Sequence, residues 1–300
     1  MSGIRVANAP CSWGVLEFDL QGKAAGAERV LSEMVATGYT GTELGDWGFL
    51  PTEPAALKAV LDRHGLDLVG AFVPVALKDP AAHDAGVEAA VRVARLLAPV
   101  APKAFVVLAD DNGKDPVRTR NAGRIGPGMG LSDADWATFG KGANRVAEAV
   151  RRETGLRTVF HHHCAGFVET PAEVDALLAR TDPNLLGLCL DMGHYAFGGG
   201  DPLKALQRLG SRVWHVHFKD CEPAVAAKSR EAGWDYFTSV GNGVFCELGR
   251  GGVPFAEIVR ALQRRGFDGY VVVEQDVLPG MGMPMESARR NRQYLAGIGL

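Results

Sequence analysis

The chain has 300 residues, a formal net charge of −3 and a hydrophobic fraction of 47%. That is enough apolar material for a large core, with no cationic excess to favour nucleic acid and no apolar run near the ~18 residues of a membrane span. Five cysteines (Cys11, Cys164, Cys189, Cys221 and Cys246) include no C-x-x-C pair, so a reducing cytoplasm is expected rather than a disulfide framework. The first residues, MSGIRVANAP, also lack the basic-then-apolar pattern of a secretory signal.

Taken in order, β-type apolar runs alternate with helical patterns along the whole chain. Strands are expected at Ile4–Asn8, Gly41–Gly45, Leu66–Val75, Ala104–Ala109, Leu156–His163, Leu186–Asp191, Val213–Lys219 and Tyr270–Glu274. Helices are expected between them: Ala24–Thr37 and Pro54–His64, each followed by a glycine, then Ala81–Leu97, a helix capped by Ser132, another opened by Thr170-Pro171, then Asp201–Leu209, Pro254–Arg265 and Glu286–Leu295. Two long inserts, at about 110–131 and 221–252, follow the fourth and seventh strands. Eight strand–helix units without a G-x-G-x-x-G or P-loop fingerprint predict a single (β/α)8 TIM barrel over residues 1–300, of the α/β class. Both inserts then lie on the catalytic face as candidate lids.

In such a barrel, polar residues at the C-terminal ends of strands are the first candidates for a site. Here these are Glu43, His161, His163, Asp191 with His194 just beyond, His215, His217 and Lys219, and Glu274. Burying so many ionisable groups without a ligand is costly, and a divalent cation removes the cost. Mixed carboxylate and imidazole donors suit Mn²⁺ or Co²⁺ best, with Mg²⁺, Fe²⁺ or Zn²⁺ as other fits. The expected ligands are Asp191, His217, Glu274 and a strand-five histidine, His163, whose face His161 shares; His162 faces the other way. In VWHVHFKD (Val213–Asp220), His217 stands nearer the rim than His215, while Trp214, Val216 and Phe218 form the apolar back. Plainer readings exist: Asp191 as the cap of an Asp-x-x-His turn, Lys219 paired with Asp220, Glu43 or Asp46 as a helix cap, and the cysteines as small buried fillers.

The segments GYTGTELGDWGFLP (Gly38–Pro51), LCLDMGHYAFGGGDP (Leu188–Pro202), VHFKD (Val216–Asp220) and VVVEQD (Val271–Asp276) resemble the xylose isomerase-like TIM barrels, the sugar isomerase/epimerase group. Within that group the chain is most similar to the inosose (2-keto-myo-inositol) dehydratases, through E-L-G-D-W-G-x-L-P, H-x-H on strand five and the V-E-Q-D strand end. The resemblance implies metal ligation by Asp191, His217 and Glu274. It also implies a strand-five glutamate, which this chain replaces with His161 or His163.

The substrate it implies is a small keto-sugar or keto-inositol, bound by chelation and converted through an enediolate. Glu274 with His161 or His163 would serve as base, and His194 or Lys219 as general acid. Loss of a β-hydroxyl gives a dehydratase, and reprotonation gives an isomerase or epimerase. A non-catalytic sugar-binding barrel is the third reading. Trp13, Glu43, Trp47, His194 and Arg124 are expected to contact substrate, with Arg118, Arg120 and Trp234 as further candidates. No nucleic acid or membrane partner is expected, and a homo-oligomer is compatible with the chain.

Overall fold

The computed structural model describes residues 3–15, 25–278 and 280–300. Its strands are β1 (Ile4–Asn8), β2 (Gly41–Glu43), β3 (Asp67–Val75), β4 (Phe105–Asp110), β5 (Arg157–His161), β6 (Leu186–Asp191), β7 (Val213–Phe218), β8 (Asp220–Cys221), β9 (Phe245–Cys246) and β10 (Gly269–Val273). Eight of them pair in the order β1-β10-β7-β6-β5-β4-β3-β2 and close into a parallel barrel, as expected. The short β8 and β9 pair antiparallel inside the second insert. No helix among the described residues is long and apolar enough to cross a membrane.

Local chemistry accounts for the helices that ring the barrel. Pro54–His64 is capped by the Glu53 carboxylate, which accepts from the Ala55 and Ala56 N–H groups, and it stops at left-handed Gly65. Capping boxes open Asp133–Thr154 through Ser132 and Asp135, and Pro171–Ala179 through Thr170 and Glu173. Ala24, where the first helix is expected to begin, lies outside the described residues; the helix runs over Ala27–Ala36.

The core has two layers. Strand residues such as Val106, Leu108, Phe160, Leu188, Leu190, Val216 and Phe218 pack outward against helical Leu31, Met34, Phe139, Val146, Ile258 and Leu262. Inside the barrel, Val107, Val159 and Cys189 pack with Phe105 and Trp214 below a polar mouth. Trp214 is a correction. Strict alternation puts it on the back of β7, but the β6–β7 register shifts between Leu188 and Cys189, so Leu188 faces Val213 and Cys189 faces His215. The bulge turns Trp214 inward with His215. Gly187 makes room for it: a Cβ there would lie 2.2 Å from the indole.

Three further differences bear on the site. β5 stops at His161, two residues early, because the chain turns at His163–Gly166 with Ala165 at φ 70° and His163 N–H closing onto Val168 O. An additional helix, Met192–Phe197, follows β6 directly. The inserts also contain helices, Pro116–Arg120 in the first and Pro223–Ala232 and Tyr236–Gly241 in the second.

The Gly187–Trp214 contact predicts that Gly187→Ala loses about 1–3 kcal/mol of stability through overpacking. Urea unfolding measures this, and an unchanged midpoint would show that the indole moves aside freely.

Candidate active site

Four strand ends bring His161, Asp191, His217 and Glu274 together, with one donor atom from each lying within 4.8 Å of all the others. His161 closes β5, Asp191 closes β6, His217 is the penultimate residue of β7, and Glu274 follows β10. Asp191 satisfies both readings of it. One carboxylate oxygen caps the Met192–Phe197 helix by accepting from His194 N–H at 2.8 Å, and the other faces the cluster.

Several buried atoms at this point have no hydrogen-bond partner: Nδ1 and Nε2 of His161, Oδ2 of Asp191 and Nδ1 of His217. His217 Nδ1 is 3.1 Å from Glu274 Oε2 but out of hydrogen-bond alignment. His161 Nε2 is 3.6 Å from Asp191 Oδ2. Orphaned lone pairs that converge in a dry site are costly unless something shares them. Two carboxylates and two imidazoles are a donor set that fits a divalent cation. Cys189 also borders His161 and His217, but burial pushes its thiol up to about 12, which suits a protonated filler.

The strand-five place in the cluster belongs to His161. His163, expected as the ligand, stands outside it because β5 has ended and strand alternation no longer aims its ring. Its Nδ1 meets the Cys164 carbonyl, and its Nε2 lies 3.4 Å from the Tyr236 hydroxyl. His162 sits behind the wall, where its Nε2 accepts from Asp191 N–H at 3.2 Å.

Glu43 supports the cluster from the opposite wall, its Oε1 lying 2.9 Å from His215 Nε2 and 3.1 Å from His217 Nε2. Burial alone would raise Glu43, but His217 and His215 outweigh it and hold the carboxyl down at about 2. Gly70 allows this approach, since a Cβ there would meet Glu43 Oε1 at 2.9 Å. Asp191 is likewise held at about 2, because Lys219 and His161 overcome its burial. Burial disfavours charge on His217, yet the Glu274 and Glu43 carboxylates raise it well above the ordinary imidazole range. The pocket prefers positive charge there, which a proton or a cation satisfies.

A second group adjoins the first. Lys219 Nζ lies 2.7 Å from Asp276 Oδ1, 3.0 Å from His194 Nε2, 3.3 Å from Glu274 Oε2 and 3.6 Å from Asp191 Oδ2. Lys219 therefore does not pair with its neighbour Asp220, whose carboxylate accepts instead from the N–H groups of Cys221, Gly249, Gly251 and Val253. His194, expected to contact substrate, is fully buried beneath Lys219 and is not among the residues lining the cavity. Asp276 was missed, although it stands two residues beyond Glu274, where one more step of alternation could have found it. Tyr236 was also missed, and an insert without strand periodicity offered no signal for it.

The match to known proteins agrees with this fold. Residues 31–297 match the model of the xylose isomerase-like TIM barrel family. The chain belongs to that family. It is 34% identical to the rhizopine catabolism protein MocC of Rhizobium meliloti, over 99% of this chain and 89% of that one. It is 30% identical to an inosose dehydratase of Lacticaseibacillus casei, over 97% of this chain and 96% of that one. Among solved structures, a D-allulose 3-epimerase from Methylomonas sp. superposes with a TM-score of 0.70 at 17% identity, covering 99% of both chains; that likeness concerns the fold alone.

Over the mouth, the inserts of this barrel form a roof with its own apolar cluster, in which Ala122 of the first packs with Tyr236, Val240, Val244 and Phe245 of the second, over Cys164 and Phe197. The arginines expected to hold substrate hold this roof instead. Arg124 donates to the carbonyls of Arg120, Gly233 and Trp234, tying insert to insert. Arg118, fully buried, forms a bidentate pair with Glu173 and donates to Gly166 O. Arg120 lends its carbonyl to that tie and is not among the residues lining the cavity. The expected aromatic walls are elsewhere too. Trp13 is buried in the main core, with its indole N–H on Glu33 at 2.7 Å. Trp47 is 40% exposed under Arg92, and Trp234 lies beside Lys228.

Arg118→Met leaves the Glu173 carboxylate without its counter-charge. A loss of about 3–5 kcal/mol is expected, and a thermal or denaturant midpoint close to that of the parent chain would contradict the anchoring role.

Proposed function

We propose that the chain is a divalent-metal-dependent, carbohydrate-acting lyase of the inosose dehydratase type. The observation that carries this reading is the convergence of partnerless donor atoms from His161, Asp191 and His217 beside Glu274. A cation held by those residues, Mn²⁺ or Co²⁺ by preference, supplies Lewis-acid polarisation of a substrate carbonyl.

The protein's own groups do the rest. Glu43, fixed between His215 and His217, orients the His217 ring. Glu274, a member of the cage that also borders the cavity, takes the proton from the carbon beside the carbonyl. His163, which also lines the cavity, contributes a polar wall. The roof excludes water from the charged floor.

The charge of the wall selects the substrate class. Among the described residues lining the cavity, Glu43, Asp46, Glu274 and Asp276 face a single ammonium, Lys219, and the guanidinium groups of Arg118 and Arg124 are engaged elsewhere. An uncharged keto-polyol suits this wall better than a phosphate ester. The relatives about 30% identical over nearly the whole chain carry the inosose dehydratase name, which supports elimination over epimerisation. Epimerisation also needs a second base opposite Glu274, and β5 offers there an imidazole, that of His161, rather than a carboxylate.

The purified protein is expected to carry about one equivalent of divalent metal per chain. Chelation should abolish turnover and lower the melting temperature, with Mn²⁺ or Co²⁺ restoring both; a chelator-insensitive enzyme would refute the metal requirement. With scyllo-inosose, the expected product is an ultraviolet-absorbing dione-type compound, and Glu274→Gln should lower kcat by roughly 10²–10⁴-fold. Turnover retained in that variant would remove Glu274 from the chemistry.

A further inference from the structure

Loss of water from a keto-polyol needs two tasks on one substrate: a base at the α C–H and an acid at the β-oxygen. The cage, through Glu274, accounts for the first. The adjoining group has the form required for the second. Lys219 is the only ammonium or guanidinium among the described cavity-lining residues, and three elements fix it in place. Asp276 Oδ1 accepts from Nζ at 2.7 Å, and His194 Nε2 lies 3.0 Å away. Gly193 clears space for the stem, since a Cβ there would stand 2.6 Å from Lys219 Cγ. The other Asp276 oxygen accepts from the Tyr236 hydroxyl at 3.0 Å. Tyr236 is 1% exposed and comes from the second insert, so the roof itself reaches down to the anchor of this lysine.

We propose that Lys219 is the proton donor to the departing β-hydroxyl, and that Asp276 and Tyr236 are positioning residues that aim it, committing the enolised substrate to elimination rather than reprotonation. This rests on the function proposed above. In the step, the enolate oxygen re-forms the carbonyl, the α,β carbon–carbon double bond forms and the β C–O bond breaks. The leaving oxygen takes a proton from Nζ and departs as water. The amine then regains a proton from solvent while Glu274 releases one to solvent, so no oxidant or further reactant is consumed. Tyr236 does not touch the substrate; it holds one oxygen of Asp276 so that the other stays on Nζ.

The test separates C–H exchange from water loss. The metal-loaded enzyme is incubated with scyllo-inosose in heavy water, and deuterium in recovered substrate and product formation are followed by NMR. In Tyr236→Phe and Asp276→Asn, elimination is expected to fall about tenfold or more, with exchange kept within about twofold and metal content unchanged, so that recovered substrate becomes deuterated. Tyr236→Phe keeps the ring packed and guards against misfolding of the charge variant. A parallel fall of exchange and elimination in both variants, or no change in either, overturns the proposal. Exchange without water loss in the parent chain also overturns it and leaves the metal cage standing. Neither process in the parent chain, on inosose or on simple ketoses, removes the proposed function and this inference together.

Discussion

The constraint on which the mouth of this barrel depends is the burial of carboxylates. Glu43, Asp191, Glu274 and Asp276 are all at least nine-tenths buried within one rim. Ionised groups survive there only if each finds compensating charge or donors. Glu43 finds two imidazoles, Asp276 finds an ammonium and a phenol, and Asp191 has one oxygen on a helix N-terminus. What remains, one oxygen of Asp191, the Glu274 carboxylate and the partnerless nitrogens of His161 and His217, surrounds a single point. Lys219 Nζ stands at the edge of that point, 3.3 Å from Glu274 and 3.6 Å from Asp191, and the donor set there fits a divalent cation.

The same logic shapes what covers the rim. The two inserts do not hang as free lids. The Arg118–Glu173 pair, the Arg124 fork and the four N–H groups on Asp220 fasten them, and an apolar cluster joins them above the site. Tyr236 then couples roof to floor, because its ring packs in that cluster while its hydroxyl reaches Asp276. A closed, fastened roof suits chemistry in which an enolised intermediate must be kept from bulk water.

Much of this was legible in the chain itself. Alternation of strand and helix patterns, with glycine stops and Ser132 or Thr170 caps, is a local property, and it specified the barrel and most of its boundaries. The positions of Asp191, His217 and Glu274 followed from parity at strand ends. His215 as the deeper histidine followed from the same rule, and its contacts with Glu43 and Phe105 agree. Asp276 could have been read by carrying that rule one step further.

Other features depended on contacts between segments far apart in sequence. The choice of His161 over His163 turns on where β5 stops, set by the turn at Ala165 and its bond to Val168. Trp214 turns inward because of a register shift against β6, which no periodicity in β7 reveals. Arg118, Arg124 and Trp13 read as binding residues in isolation, and each spends its polar atoms on a partner tens of residues away. The sequence alone therefore determined the barrel and the inventory of groups at its mouth, because backbone periodicity is local. Only the tertiary structure decided which of them converge, because convergence is set by strand register and by non-local partners.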